Sequence, residues 1–202
     1  MSKLNTKKHI SVIINALKPL SNPFPKPLLI VMVGLPGTGK TYLARNIQES
    51  FPVTIIQSDQ VRTLCFGQPK YTRSENKYVF ELCHRVINNL LEEGVPVLFD
   101  ATNMIEANRK VLYQISKLNK AKLFVLKIIT QEKIIEGRIR DRSLRQASYD
   151  FSKADWAVYR RMQKLDHTIN ISHTIINNSL NNILCLNPIL EDLVAWRNSL
   201  YP

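Results

Sequence analysis

Residues 34–41, with the sequence GLPGTGKT, have the types and the spacing that phosphate binding requires. They fit the phosphate-loop pattern G-x-x-x-x-G-K-[ST] at every fixed position. Glycines let the backbone approach a phosphate closely, and the N-terminus of a following helix adds N–H donors and a partial positive charge. We therefore expect ATP binding, with Lys40 as a catalytic residue at the β- and γ-phosphates and the Thr41 hydroxyl as a ligand of Mg²⁺. The predicted nucleotide-binding residues are Gly34, Leu35, Pro36, Gly37, Thr38, Gly39, Lys40 and Thr41.

The residues on either side of the loop predict a strand before it and a helix after it. Residues 28–33 form an apolar run of strand length, and Leu43, Ala44 and Ile47 follow helical spacing behind the loop. The alternative, an ordinary glycine-rich turn with a surface lysine, does not need an apolar strand in front. The context favours phosphate binding and leaves open which acceptor receives the γ-phosphate.

A carboxylate and an arginine follow the second predicted strand, residues 52–57. Asp59 stands where a helix is expected to begin, and Arg62 lies one turn further on. The carboxylate could accept a proton from an attacking hydroxyl group, and the arginine could hold an anionic part of the acceptor. The alternative is structural: Asp59 only caps the helix and Arg62 is solvated.

An aspartate ends the third predicted strand, residues 95–100. In an open parallel sheet, ligands bind beyond the carboxyl ends of the strands, so Asp100 should face the same site as the phosphate loop. A hydrophobic strand that ends in aspartate also fits a carboxylate that holds Mg²⁺, directly or through water. Asp100 is therefore the second predicted metal ligand, beside Thr41.

The elements that must position these residues alternate between strand and helix, which indicates an α/β fold with a parallel sheet. An amphipathic stripe at residues 4–18 and the prolines behind it predict a helix and an extended connector. We therefore divide the chain into residues 1–27 and one domain, residues 28–202. The remaining predicted strands are residues 122–129 and 173–176, and the remaining predicted helices are residues 71–93, 105–118, 153–165 and 188–200.

Three arginines fall on one face of a helix predicted near residues 136–146. Arg138, Arg142 and Arg145 are spaced i, i+4 and i+7. Cations on one face repel each other unless an anion lies between them, and a triphosphate would supply that anion. The alternative is a solvated basic face without a ligand.

The composition fits one globular domain with a basic surface. The chain has 202 residues, 45% of them hydrophobic, and a formal net charge of +12. Residues 1–48 hold seven basic and no acidic side chains, and residues 101–149 hold eleven basic and four acidic ones. This suits a polyanion such as nucleic acid, or only a soluble surface. Three scattered cysteines and the lack of a membrane-length apolar run lead us to expect a cytoplasmic protein with no membrane partner.

Together, these motifs resemble the phosphate-loop kinases of the polynucleotide kinase and zeta-toxin type, over about residues 28–165. The resemblance implies a three-layer P-loop NTPase kinase fold with about five parallel strands and an arginine-bearing lid. It makes Asp59 the general base and Arg62 the acceptor arginine, with Arg138 and Arg142 as the catalytic lid arginines. The motifs that carry it are the phosphate loop, Asp59-x-x-Arg62, Asp100-Ala101-Thr102-Asn103, Arg109 and Arg138-x-x-x-Arg142. The remaining residues that it places at the substrate are Thr102, Asn103 and Arg109.

The function predicted from sequence is ATP- and Mg²⁺-dependent phosphoryl transfer to a hydroxyl group. The leading acceptor is the 5′-hydroxyl of a polynucleotide or nucleotide. One alternative is a kinase for sugars or nucleotide sugars, as in the zeta-toxin branch. Another is an ATP-binding regulatory protein with little turnover. The sequence does not distinguish between oligomeric states.

Overall fold

Five parallel strands in the order β2-β3-β1-β4-β5 form the centre of the structure, which is a computed structural model. It describes residues 3–18, 23–142, 154–180 and 183–201. The helices are α1 (Lys3–Leu17), α2 (Lys40–Ser50), α3 (Ser58–Phe66), α4 (Arg73–Glu92), α5 (Glu106–Leu118), α6 (Glu132–Arg142), α7 (Trp156–Gln163) and α8 (Asn187–Asn198), with a 3₁₀ turn at Ile183–Leu186. The strands are β1 (Leu28–Val33), β2 (Thr54–Gln57), β3 (Val97–Asp100), β4 (Lys122–Ile129) and β5 (Thr174–Asn177).

The central strand β1 is paired on both sides and buried along its whole length. It pairs in parallel with β3 and with β4, so its six apolar residues face helices on both sides of the sheet. A continuous apolar run is what such a position requires, because neither face of the strand meets water. The phosphate loop follows β1 and therefore leaves the middle of the sheet edge.

Helices cover both faces of the sheet, which confirms the predicted three-layer α/β fold. On one face, apolar side chains of α1, α4 and α5 pack into a core with β1 and β3. On the other face, α2, the 3₁₀ turn and α8 pack against the opposite side of the same strands. No helix that the structure describes has the length and apolar composition to cross a bilayer. All three cysteines, which lie within these described ranges, are free thiols.

Arg109 on α5 is a structural clamp, which corrects the prediction that it binds the substrate. Its side chain is fully buried and all five of its N–H groups are engaged. It therefore joins the turn after β3 to the segment after α7 and has no donor left for a substrate. The acceptors are the carbonyl oxygens of Asn103, Met104, His167 and Thr168 and the carboxylate of Glu106, each at 2.7 to 2.8 Å.

We expect Arg109→Met to lower the free energy of unfolding by about 3 kcal/mol or more, since a buried carbonyl without a donor costs ~1–3 kcal/mol. Urea unfolding followed by circular dichroism measures the change. Lys110→Met, on the exposed side of the same helix, is the matched control and should stay near the wild type. A loss below about 1 kcal/mol in Arg109→Met would contradict the clamp.

Candidate functional site

The last part of the phosphate loop adopts backbone angles that favour glycine. Gly37 and Gly39 have φ angles of 82° and 90°, in the left-handed region. A Cβ atom on Gly39 would also overlap the side chain of Asn178. Lys40 begins α2 directly after Gly39, so the first N–H groups of the helix point back toward the loop, where a phosphate would bind.

Hydrogen bonds fix the loop to the neighbouring strand and to itself. The Gly34 amide donates to the carbonyl oxygen of Thr102, behind β3, at 3.0 Å. Inside the loop, the Thr38 hydroxyl and the Lys40 ammonium both donate to the Leu35 carbonyl, at 2.8 and 2.9 Å. Lys40 is 8% exposed, so its charge is held over the loop rather than extended into solvent. This arrangement provides an anion site with a positioned cation.

Arg138 lies against the phosphate loop, and its role as a lid arginine stays a prediction. Its guanidinium donates to the carbonyl oxygens of Gly37 and Thr38, at 3.3 and 3.2 Å, and to that of Asn178, at 2.8 Å. Desolvation by burial lowers the pKa of Arg138. The side chain of Arg142 and all of Arg145 lie outside the described residues, so the three-arginine face stays a prediction.

Asn178 supports the phosphate loop, a role that sequence reasoning missed. It is 1% exposed, and its side-chain amide donates to the Thr38 carbonyl at 2.9 Å. It follows β5 at the same sheet edge where Asp100 ends β3. That position at a strand end is the signal that could have identified it.

Thr41 and Asp100 form the candidate metal site. The Thr41 hydroxyl donates to a carboxylate oxygen of Asp100 at 2.7 Å, and the Gln57 amide lies 3.5 Å from the same oxygen. Mg²⁺ prefers oxygen ligands and retains several waters, so one hydroxyl and one carboxylate beside a phosphate suit it. Among the described residues, no group of three His, Cys, Asp or Glu side chains could form an all-protein metal cage.

Asp59 lies in the first turn of α3, and the cap position belongs to Gln57. The alternative that Asp59 only caps this helix is therefore not supported. Desolvation raises the pKa of the Asp59 carboxyl, and the charge of Asp100 raises it further, while Arg62 and Lys40 act in the opposite direction. Its side chain is 31% exposed. A partly accessible carboxylate with a raised pKa suits a general base.

Arg62 is held in a buried ion pair that the sequence did not reveal. It is 4% exposed, and one of its terminal nitrogens donates to Glu75 on α4 at 2.8 Å. Its Nε atom lies 3.6 Å from Asp59, and the guanidinium lies over the ring of Tyr71. The solvated alternative is therefore wrong. Glu75 compensates the positive charge of Arg62, and Asp59 lies on the other side of the guanidinium. Arg62 also lines the cavity, and its role at the acceptor stays a prediction.

The residues behind β3 have divided roles. Asn103 is 1% exposed with φ of 48°, and its side-chain amide donates to the Met32 carbonyl of β1 at 2.8 Å. Its other side-chain atom, Oδ1, is buried as well. Asn103 therefore fixes the turn to the sheet; it also lines the cavity, and its substrate role stays a prediction. Thr102 is half-buried at the cavity wall, and its substrate role stays a prediction.

One cavity of about 1900 Å³ joins these groups to a wall that the motifs did not predict. The wall comes from α1, α4, α5 and α7, through residues such as Lys7, Phe80, Val111 and Arg161. Burial lowers the pKa of His84, on the same wall, to about 4, so its ring is neutral near neutral pH. The predicted residues that line the cavity are Pro36, Gly37, Gly39, Lys40, Thr41, Asp59, Arg62, Asp100, Thr102, Asn103 and Arg138.

Comparison with known proteins places this site in a family. A family model described as an AAA domain, AAA_33, matches residues 29–165. A 6-phosphofructo-2-kinase/fructose-2,6-bisphosphatase from Aquarana catesbeiana is 28% identical over 123 residues, which is 52% of this chain and 26% of the relative. This chain thus spans about a quarter of that relative's length.

Two solved structures have the same fold at low identity. Chaetomium thermophilum Kti12, in complex with ADP-AlF3, superposes with a TM-score of 0.65 at 17% identity, covering 83% of this chain and 97% of its own. The APS kinase CysC of Mycobacterium tuberculosis, in complex with AMPPNP and APS, gives a TM-score of 0.60 at 13% identity, covering 85% and 99%. Because the family match spans more than half of the sequence, and the fold is that of P-loop kinases, this chain belongs to the AAA_33 family of AAA domains.

Proposed function

We propose that this protein transfers the γ-phosphate of ATP to a hydroxyl group of an acceptor. The observation that carries the proposal is the convergence of three groups on one cavity. Lys40 in the phosphate loop, the Thr41–Asp100 pair and the Asp59 carboxylate all line it. A phosphate site, a metal site and a base at the end of neighbouring strands are the parts that phosphoryl transfer requires.

The reaction needs one proton acceptor and a positioned positive charge. Asp59 takes the proton of the acceptor hydroxyl as its oxygen forms a bond to the γ-phosphorus. The bond from that phosphorus to the bridging oxygen breaks, and ADP leaves with the electron pair. Lys40 and the N–H groups at the start of α2 stabilise the charge on the phosphate oxygens. Mg²⁺, held by Thr41 and Asp100, would neutralise part of that charge.

The preferred acceptor in this proposal is a nucleotide or polynucleotide with a free 5′-hydroxyl. Pockets for one small ligand are typically about 300–1000 Å³, so a cavity of about 1900 Å³ has room for ATP and a second ligand of similar size. Its wall combines apolar side chains with the side-chain amides of Asn76 and Asn108, which suits a base. Glu75 neutralises Arg62, so exposed cations such as Arg73 and Arg161 are left to meet acceptor phosphates.

A screen with γ-labelled ATP tests this function. Oligonucleotides, nucleotides and sugar phosphates serve as acceptors. We expect label on a 5′-hydroxyl and a loss on the order of a hundredfold or more in Lys40→Ala, because the variant lacks the charge on the transferred group. Lys26→Ala, in the exposed connector before β1, is the control with an unchanged rate.

Each other result of the screen selects a different function. Label found only on sugars would favour the small-molecule kinase instead. Stoichiometric ATP binding without transfer to any acceptor would leave the regulatory alternative. Near-normal turnover in a folded Lys40→Ala protein would contradict the proposed site.

Substitutions of Asp59 and Asp100 should have different effects on the Mg²⁺ dependence of transfer. Asp59→Asn should slow transfer while ATP and Mg²⁺ still bind, because only the proton acceptor is removed. Asp100→Asn should shift the Mg²⁺ concentration needed for half-maximal rate, because a ligand oxygen is weakened. Transfer rates across a range of Mg²⁺ concentrations measure both effects. Superimposable titrations for the wild type and Asp100→Asn would remove Asp100 from the metal site.

The raised pKa of Asp59 also predicts how the transfer rate depends on pH. Because the carboxylate form is the base, the rate should fall as the pH drops through the folded-state pKa, which lies above the ordinary aspartate value. This fall at low pH should be absent from the pH–rate profile of the residual activity of Asp59→Asn. The same fall at low pH in the wild type and in Asp59→Asn would show that another group titrates.

A further inference from the structure

The N-terminal helix α1 forms part of the cavity wall although it lies outside the family match at residues 29–165. Among the side chains of α1 that the structure describes, those of Lys7 and Ile10 line the cavity. No motif in the sequence pointed to them, because the helix reads only as an amphipathic segment before the core. This part of the wall therefore lies outside the matched domain.

Helix α1 is held against the domain by packing, so its cavity-facing residues have a defined position. Ile13 is fully buried in the core, with Ile10, Ile14 and Leu17 packed against the same core. The His9 ring, through Nδ1, shares a hydrogen bond of 3.0 Å with the Tyr78 hydroxyl on α4. Burial of these apolar side chains holds α1 against the domain, so Lys7 and Ile10 have a fixed place at the cavity.

Three cations lie along this part of the cavity: Lys7 on α1, and Arg73 and Lys77 on α4. All three are exposed. Among the residues that the structure describes, none of them forms an ion pair, and the nearby Glu81 is paired with Arg85 at 3.0 Å. Cations that share a cavity without a carboxylate partner are a ready site for an anion.

This site is separate from the phosphate loop. Helix α1 packs mainly on α3, which carries Asp59, and on α4, whereas Lys40 begins α2 on the opposite face of the sheet. An anion at Lys7 is therefore on the acceptor side of the base. The Phe80 side chain also lines the cavity and provides an apolar surface within it.

We propose that Lys7, with Arg73 and Lys77, binds a second anionic group of the acceptor, remote from the hydroxyl that Asp59 deprotonates. The inference rests on the proposed kinase function, because it assigns this part of the cavity to the acceptor. This second anionic group is a phosphate. Its source is either the next internucleotide phosphate of an oligonucleotide or the second phosphate of a sugar bisphosphate.

Binding, measured without turnover, tests this site independently of catalysis. The probe is a fluorescein-labelled thymidine trinucleotide with a free 5′-hydroxyl, titrated with the full chain in saturating Mg²⁺ and AMPPNP to fill the phosphate loop. Fluorescence anisotropy gives the dissociation constant at two salt concentrations. Fructose 1,6-bisphosphate and fructose 6-phosphate are then compared as competitors of the bound trinucleotide. Stronger displacement by the bisphosphate would identify a sugar bisphosphate as a source of the phosphate.

We expect Lys7→Ala to raise the dissociation constant about fivefold to twentyfold at low salt, with a smaller effect at high salt. Lys7→Gln should behave in the same way, and Lys7→Arg should stay near the wild type. Lys8→Ala is the matched control, because Lys8 is exposed on the same helix but does not line the cavity. The affinity for the ATP analogue should not change in any of these variants.

Equal affinities for Lys7→Ala and Lys8→Ala would overturn the proposal. So would the absence of trinucleotide binding in the wild type together with no binding of fructose 1,6-bisphosphate measured directly by isothermal titration calorimetry. If the probe binds through Lys7 but the labelling screen finds no transfer, the anion site stands and the kinase function fails. If transfer occurs and the two alanine variants are alike, the kinase stands and the anion site fails.

Discussion

The hydrogen bond from Thr41 to Asp100, 2.7 Å long, connects the two halves of the candidate site. Thr41 belongs to the first turn of α2, and Asp100 is the last residue of β3. Because β3 lies directly beside β1 in the sheet, the bond fixes the start of α2 relative to the neighbouring strand end. The Gly34 amide, bound to Thr102 behind β3, holds the other end of the loop. Both ends of the phosphate loop and the candidate metal site are therefore held at the end of β3.

Buried charge is the second constraint, and the chain satisfies it differently at two arginines. Arg109 is neutralised by Glu106 and four carbonyl oxygens, so it serves only to join segments. Arg62 is neutralised by Glu75, whose carboxylate also accepts the backbone amides of Lys70 and Tyr71. Hydrogen bonds from Arg62 and these amides hold the pKa of Glu75 below its ordinary value despite desolvation. A buried pair of this kind is costly to break, so both arginines are part of the scaffold.

The sequence predicted the parts of the fold that depend on local pattern. The apolar run at β1 and the fixed residues of the phosphate loop were sufficient, because both are specified by consecutive residues. The strands β2 and β3 begin later than predicted, each shortly after a proline, which lacks the N–H that a ladder needs. The roles of Asn103 and Asn178 could not be predicted, since their partners lie far away in the chain. The clamp role of Arg109 could not be predicted either, because two of its acceptors, the carbonyl oxygens of His167 and Thr168, come from a distant segment. The ion pair of Arg62 with Glu75 could not be predicted for the same reason, because Glu75 reaches Arg62 only once α4 has packed beside α3.

The central claim is that the phosphate loop, Thr41 and Asp100 bind ATP and Mg²⁺ next to Asp59. A crystal structure with Mg²⁺ and AMPPNP tests it most directly. We predict the β- and γ-phosphates over residues 34–41, with the Lys40 ammonium moved from the Leu35 carbonyl to a phosphate oxygen. Mg²⁺ should lie about 2.1 Å from the Thr41 hydroxyl, with Asp100 bound directly or through one water. Phosphates bound away from the loop, or Mg²⁺ held by Asp59 instead of the Thr41–Asp100 pair, would contradict the account.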